Sequence, residues 1–407
     1  PVQVLIEVSG TVSAAVQKIS KAVTTTVLRR TALVWDDTRK IAAFITPNDD
    51  TVSGFALRAA SAAEAGTRQR LSARLLRALR IIDALGVYGI AYVEDPDAPI
   101  TKVLGSPTAV DTVRFPRTTL ANRTGDCDDT TVLLASLLEA AGIRTMVLTT
   151  PGHIFLAFDS DGDAGNAAML ATRDLEIVSA GGIAWIPVET TVLKEGFMAA
   201  WKAASSLVRK HRPTGGLETF AFRDMSTAFP SMPLKPSSIT VAEPAPAAVS
   251  ERFDASVARL DTEVYLARLA ELESQAKGLT GRQQLRVRML QGILHALFGR
   301  NAEAEQAFRA AKAMDPAMIS PYVNIANLRL LAGDLDGAIA ELRSGIAKAP
   351  DSPVLNLALA RCYADKGDAK NAAVYLAVVK KLSPDLAARY PEIVAQPQKS
   401  SGRGSFS

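Results

Sequence analysis

Cysteine and histidine are scarce in this 407-residue chain, two and three copies respectively, and one of each falls where a thiol and a base can work together. Cys127 stands in Arg123-Thr-Gly-Asp-Cys-Asp-Asp-Thr-Thr-Val, just ahead of Leu133, Leu134, Leu137 and Leu138 at helical spacing. That pattern predicts a helix with one buried face, Cys127 on its first turn and Gly142 as its stop. Asp126 is the expected cap, with Asp129 three residues on completing a capping box. A thiol there meets free N–H groups and the positive end of the helix dipole, which favour the thiolate. Asp126, Asp128 and Asp129 oppose this, because nearby negative charge raises a thiol's pKa. A basic partner is therefore needed.

The partner is sought downstream. Thr149-Thr-Pro-Gly-His-Ile-Phe-Leu-Ala-Phe-Asp159 reads as a turn followed by an apolar strand with His153 at its start. Gly182-Ile-Ala-Trp-Ile-Pro-Val-Glu-Thr-Thr191 reads as a second strand and carries Glu189. Helix with Cys, strand with His and strand with a carboxylate follow the order of a nucleophile, a base and an orienting group. Asp159 is the main competitor of Glu189 for the third role. His211, in a basic loop, and His295, on a helix, are expected at the surface, and Cys362 is expected to be a buried core thiol. The three clustered aspartates could suggest a metal, but helix capping accounts for Asp126 and Asp129 and no pair of His stands at metal spacing. Neither a metal nor a cofactor is expected.

Together, Gly125-Asp-Cys-Asp-Asp129, Pro151-Gly-His153 and Trp185-Ile-Pro-Val-Glu-Thr-Thr191 resemble the bacterial transglutaminase-like cysteine proteinases, within the transglutaminase and papain-like superfamily. The resemblance covers roughly residues 50–200. In that superfamily a helix-borne Cys is the nucleophile, a His on the next strand is the base, and an acid in a Trp-x-x-x-Asp-x-Thr segment orients the His. Carried over, these are Cys127, His153 and Glu189. Glu stands where Asp is usual, and Ile154 and Phe155 stand where a Trp often follows the His. The resemblance implies an α+β transglutaminase-like (papain-like) domain that hydrolyses or transfers a peptide or amide acyl group, with a protein or peptide as substrate.

The elements that must position these residues divide the chain. Residues 1–50 are expected to be β-rich: Val2 to Ser9 alternates, Thr24 to Val34 is rich in β-branched residues, and Ile41 to Thr46 is a short apolar run, while Gly10 to Ser20 fits strand or helix. Residues 51–212 form the cysteine domain, with a helical pattern from Thr51 to Leu85 and a long Asp95–Arg117 loop expected to wall a substrate cleft. Residues 213–250, with Pro230, Pro233, Pro236, Pro244 and Pro246, are expected to be a linker.

From Glu251 a period appears. Gly299, Gly333 and Gly367 are 34 residues apart, as are Pro316, Pro350 and Pro384, and Ala304, Ala338 and Ala372. Gly292, Ala326 and Ala360 share the phase, as do Phe308, Leu342 and Leu376. Small residues let paired helices approach, Gly turns the chain and Pro ends the second helix, which is the tetratricopeptide signature. It predicts an all-α array over 251–395, with three repeats from about Leu285 to Lys381, a companion helix at 251–278 and a cap at 381–395. Such an array is expected to bind a protein partner. Residues 396–407 are expected to be disordered.

Composition sets the outer limits. At 48% hydrophobic residues and a net charge of +4, the chain can fill ordinary cores and gives no reason to invoke nucleic acid. No apolar run approaches the ~20 residues of a membrane span. The opening at Pro1 without Met points to a trimmed or processed product, and a bacterial, extracytoplasmic setting is favoured by a small margin. Two readings of function result: a thiol enzyme working through Cys127, His153 and Glu189, or a non-catalytic scaffold in which the cysteine domain holds a peptide and the repeats assemble a complex.

Overall fold

The structure, a computed structural model, describes residues 2–12, 15–25, 27–61, 71–94, 109–163 and 170–390. Most of the expected Asp95–Arg117 loop, the end of the expected cap and the tail from 396 lie outside the described residues. The chain divides into two compact units, up to Leu260 and from Asp261.

The first unit opens with an antiparallel hairpin, β1 (Val2–Val12) and β2 (Ala15–Thr25). Then come β3 (Ala32–Val34), α1 (Asp50–Ala60), α2 (Ala73–Tyr88), β4 (Ala91–Tyr92), β5 (Val110–Thr112), α3 (Pro116–Asn122), β6 (Thr124–Gly125) and α4 (Cys127–Ala140). β7 (Thr145–Thr150), β8 (His153–Asp163), β9 (Val178–Ala180), β10 (Ile183–Val188), α5 (Phe197–His211), β11 (Glu218–Ala221), α6 (Phe222–Ala228) and the start of α7 (Pro246–Ala276) complete it. A five-stranded sheet in the order β11-β7-β8-β10-β9, antiparallel throughout, is its centre. Met146, Leu148, Phe155, Ala157 and Trp185 from the sheet form one core cluster with Ala204 and Val208 of α5. Leu133, Leu134, Leu137 and Leu138 of α4 are all fully buried, as the helical spacing requires. The unit is thus mixed helix and sheet.

Two expectations for this unit change. Ile41 to Thr46 is not a strand: Thr38–Phe44 form a 3-10 helix, because the Asp37 carboxylate caps it through the Arg39 N–H and the turn buries Ile41, Ala42 and Phe44 on one side. The proline-rich stretch 213–250 is more than a linker. Its residues 218–221 are the edge strand β11, paired with β7 from Glu218↔Thr149 to Ala221↔Met146. The chain beyond α6 then runs along the unit, with the Met232 N–H donating to Ala43 O and the Ser231 hydroxyl to Ile45 O. Prolines rule out internal ladders, not hydrogen bonds from the residues between them.

Among its described residues the second unit is built of helices alone. α8 (Gly281–Leu297) and α9 (Asn301–Met314), α10 (Ser320–Leu331) and α11 (Leu335–Ile346), and α12 (Pro353–Asp365) and α13 (Ala369–Leu382) form three pairs, followed by α14 (Pro384–Ala388). Gly299, Gly333 and Gly367 turn each pair at φ between +71° and +79°, where a side chain would be strained. A Cβ on Gly292 would lie 2.4 Å from the Phe308 ring, so the small residue at that phase is what lets α8 and α9 touch. A further periodic bond sits outside the expected signature. Tyr322 and Asn356, 34 apart, both donate to the carbonyl of the preceding repeat proline, Pro316 and Pro350, at 2.9 and 3.0 Å.

Candidate active site

Cys127 begins α4 as expected, with Asp126 as the N-cap accepting from the Asp129 N–H at 3.1 Å. At the other end the Ile143 N–H reaches Leu138 O, and Gly142 adopts φ +75°. The capping box does not form. The Asp129 carboxylate turns away to accept from the Arg114 N–H at 2.6 Å and to pair with its guanidinium at 3.2 Å.

His153 and Glu189 meet. The Pro151-Gly152 turn, with Gly152 at φ +71°, closes β7 onto β8 so that His153 pairs with Thr150. β8 pairs with β10 up to Leu156↔Val188, which sets the two strand ends side by side. His153 Nε2 lies 2.7 Å from Glu189 Oε2. The other carboxylate oxygen accepts from the Thr191 N–H at 3.0 Å and its hydroxyl at 2.7 Å. Those two donors fix the plane of the carboxylate and hence the ring it binds.

Asp159 is engaged elsewhere. At 1% exposure its Oδ2 accepts from Arg74 Nη1 at 2.6 Å and Arg144 Nε at 2.8 Å, and its Oδ1 from the Asp161 N–H at 2.8 Å. It is a structural anchor between α2 and the sheet, and Glu189 alone of the two candidates contacts the histidine.

Cys127 is tied to the segment that carries the acid. Its carbonyl accepts from the Thr190 hydroxyl at 3.5 Å and from Thr130, and Thr190 also lies 3.0 Å from the Thr131 hydroxyl. The thiol itself is buried, and burial, then the neighbouring carboxyl groups of Asp128, Asp126 and Glu189, hold its pKa well above the ordinary value; the backbone of Asp128 works weakly the other way. The dipole of α4 does not win, because the loss of water, and then the nearby carboxyl groups, outweigh one partial charge. At rest this cysteine is a thiol.

The carboxyl groups around it crowd one another. Asp126, Asp128 and Asp129 place oxygens within 4.8 Å of one another. Asp128 is fully buried; its Oδ1 accepts from the Asp129 N–H at 2.6 Å and its Oδ2 has no hydrogen-bond partner, so nothing offsets the cost of a charge there. Burial and its charged neighbours accordingly raise Asp128 well above the usual range, and burial with Asp126 pushes Asp129 up to about 7. Trp35 Nε1 donates to Asp111 at 2.7 Å and holds the far side of the cluster.

Of the remaining candidates, Cys362 is buried in the repeat core, where burial pushes its thiol up to about 11. His295 is not a surface residue: its ring is partly buried and its Nδ1 lies 3.1 Å from the Tyr265 hydroxyl.

The comparisons bear on the second unit. Residues 329–396 match the family model described as Tetratricopeptide repeat. Similar solved structures include the type III secretion chaperone SycD of Yersinia enterocolitica in complex with a peptide of the translocator YopD, at 19% identity over 27% of this chain and 89% of that one, TM-score 0.26. PcrH from Pseudomonas aeruginosa is 19% identical over 29% and 93%, TM-score 0.27. YrrB, a TPR protein with an unusual peptide-binding site, is 14% identical over 47% and 87%, TM-score 0.27. No curated protein sequence matches the chain. The family match shows a tetratricopeptide repeat in the second unit, over residues 329–396.

Proposed function

We propose that this chain is a partner-binding protein whose repeats recruit a polypeptide, and that its first unit acts on a polypeptide by acyl transfer to Cys127. The repeats support the first half: they leave a groove between α10 and α12 lined by Val323, Asn327, Leu330, Leu357 and Arg361, apolar with a few polar groups, the kind of surface that takes a peptide segment. The observation that supports the second half is the 2.7 Å contact of His153 with Glu189. A carboxylate so placed sets the ring tautomer and stabilises the imidazolium once the ring takes a proton. Because the resting thiol is neutral, His153 serves as a general base when an acyl group arrives, in place of a standing thiolate–imidazolium pair. Hydrolysis and amine transfer share this chemistry up to the second step.

A second reading has its own support. The burial of Cys127 and the carboxylates around it suit a domain that holds a peptide without reacting with it. Intact-mass measurement after incubation with an activated peptide ester separates the two. Catalysis predicts an adduct on Cys127 that turns over in water or with a primary amine and is lost in Cys127→Ala. Binding of the peptide with no adduct would sink catalysis and leave the scaffold.

A further inference from the structure

The Glu189 carboxylate is placed by the segment that follows it. Its Oε1 accepts from the N–H and the hydroxyl of Thr191, and the Glu189 N–H donates to Ala200 O at 3.0 Å. Thr191 lies in the 3-10 turn Thr190–Glu195, and Ala200 in the first turn of α5. Where that turn and that helix end sit, the carboxylate sits. The start of the turn is tied to α4, through the Thr190 hydroxyl. Its far end runs into Gly196, the N-cap of α5, which has no side chain to offer the helix.

The missing cap comes from α2. Asp83, fully buried, accepts from the Phe197 N–H at 3.0 Å. From α7 comes Arg252, whose Nε lies 3.8 Å from the same carboxylate oxygen and whose Nη2 donates to Lys194 O, inside the turn, at 2.5 Å. Its guanidinium lies in a slot between two glycines. A Cβ on Gly196, at φ +90°, would come within 2.9 Å of Nε and Nη2, and one on Gly86 of α2 within 3.0 Å of Cζ and Nη1. Two bare backbone positions against one planar cation, with a buried carboxylate and a carbonyl at its edge, form a fitted seat that no shorter or rounder cation fills.

Resting on the acyl-transfer reading, we propose that Arg252 is a positioning residue for the reaction: by fastening Lys194 and Asp83 it fixes the far end of the Thr190–Glu195 turn and so holds the Glu189 carboxylate against His153. It touches no reacting atom. Thr191 lies between the end held by Thr190 and the end held by Arg252, and both are needed to fix its two donors. Without the guanidinium those donors shift, and the carboxylate moves off the ring it orients.

Two measurements on the full chain test this in Arg252→Gln, which keeps most of the stem and removes the guanidinium. The chain has three histidines, so the imidazole N–H signals of protein made with isotope-labelled histidine are few, and His153→Gln identifies those of His153. The ring N–H bound to Glu189 is expected as a downfield, exchange-protected proton in the unchanged chain, absent in Glu189→Gln. In Arg252→Gln it is expected to move upfield or vanish. Acylation of Cys127 by p-nitrophenyl acetate is expected to slow by about 10–10²-fold, the cost of a misplaced group, with Cys127→Ala subtracting reaction elsewhere on the chain. Tryptophan fluorescence shows that the variant is folded at the assay temperature. A His153 signal left in place overturns the proposal, and so does acylation at full rate. Slowed acylation with the signal in place also overturns it, because the loss would not run through Glu189. If Arg252→Gln does not fold, Arg252→Lys, which keeps a cation beside Asp83, is held to the same two criteria. Failure of both to fold makes Arg252 a folding residue and ends the positioning role. If the unchanged chain shows no acylation that depends on Cys127, the acyl-transfer reading falls and takes this role with it, whereas an unmoved His153 signal removes Arg252 alone.

Discussion

Replacing Asp128 by Asn probes the buried carboxyl cluster that surrounds the nucleophile. A carboxyl whose folded pKa is raised binds its proton more tightly when folded. Its stabilising contribution is whole below the unfolded value and is lost as pH rises through the folded one. For Asp129 that window runs from 3.8 to about 7. Three such pH units amount to roughly 4 kcal/mol at about 1.4 kcal/mol each. Asp111 and Asp128 are raised as well, so their contributions carry the same sign. The first unit should therefore be more stable at pH 5 than at pH 8. Asn at 128 keeps the oxygen that accepts the Asp129 N–H at 2.6 Å and puts an uncharged amide where the unpartnered, buried Oδ2 stands. With one carboxyl gone the slope should flatten, and stability at pH 8 should rise by about 1–3 kcal/mol, or roughly 3–10 °C in Tm for a unit of this size. All three tryptophans, Trp35, Trp185 and Trp201, lie in the first unit, so intrinsic fluorescence melts between pH 5 and 8 report it selectively. A Tm that is flat or rising with pH, or an Asp128→Asn protein that is weaker at pH 8 with an unchanged slope, would refute the raised carboxyl cluster.

Other expectations follow from single contacts. Asp159→Asn should destabilise the first unit by about 2–4 kcal/mol, because it leaves Arg74 and Arg144 without their buried carboxylate; an unchanged fluorescence melt would contradict the anchoring role. Glu189→Gln should cost stability only about 1–2 kcal/mol through weakened bonds to Thr191 and His153, while slowing acylation of Cys127 by about 10²–10⁴-fold. Full-rate acylation in that variant would end the assignment of Glu189. Gly292→Val should cost the repeats about 3 kcal/mol, since its side chain would enter the Phe308 ring, and a far-ultraviolet circular dichroism melt of the full chain would show the loss.

What the sequence determined by itself was periodic or local. The repeat phase was legible because the same packing problem recurs every 34 residues, and Gly333 or Ala338 answers it identically each time. The start and stop of the Cys127 helix were legible because Asp126 and Gly142 act on their own neighbours. The tertiary structure decided whatever depends on distant chain segments meeting. Glu189 and Asp159 look alike in sequence, and only the arrival of Arg74 and Arg144 at one, and of His153 at the other, separates them. The capping box failed because Arg114, far from the helix in local pattern, competes for the Asp129 carboxylate. Glu218 to Ala221 became a strand because β7 offered an open edge, though the prolines around them argued for a linker. Likewise the raised pKa values of Asp128 and the Cys127 thiol are consequences of burial, and no spacing of residues records how much water a fold will remove.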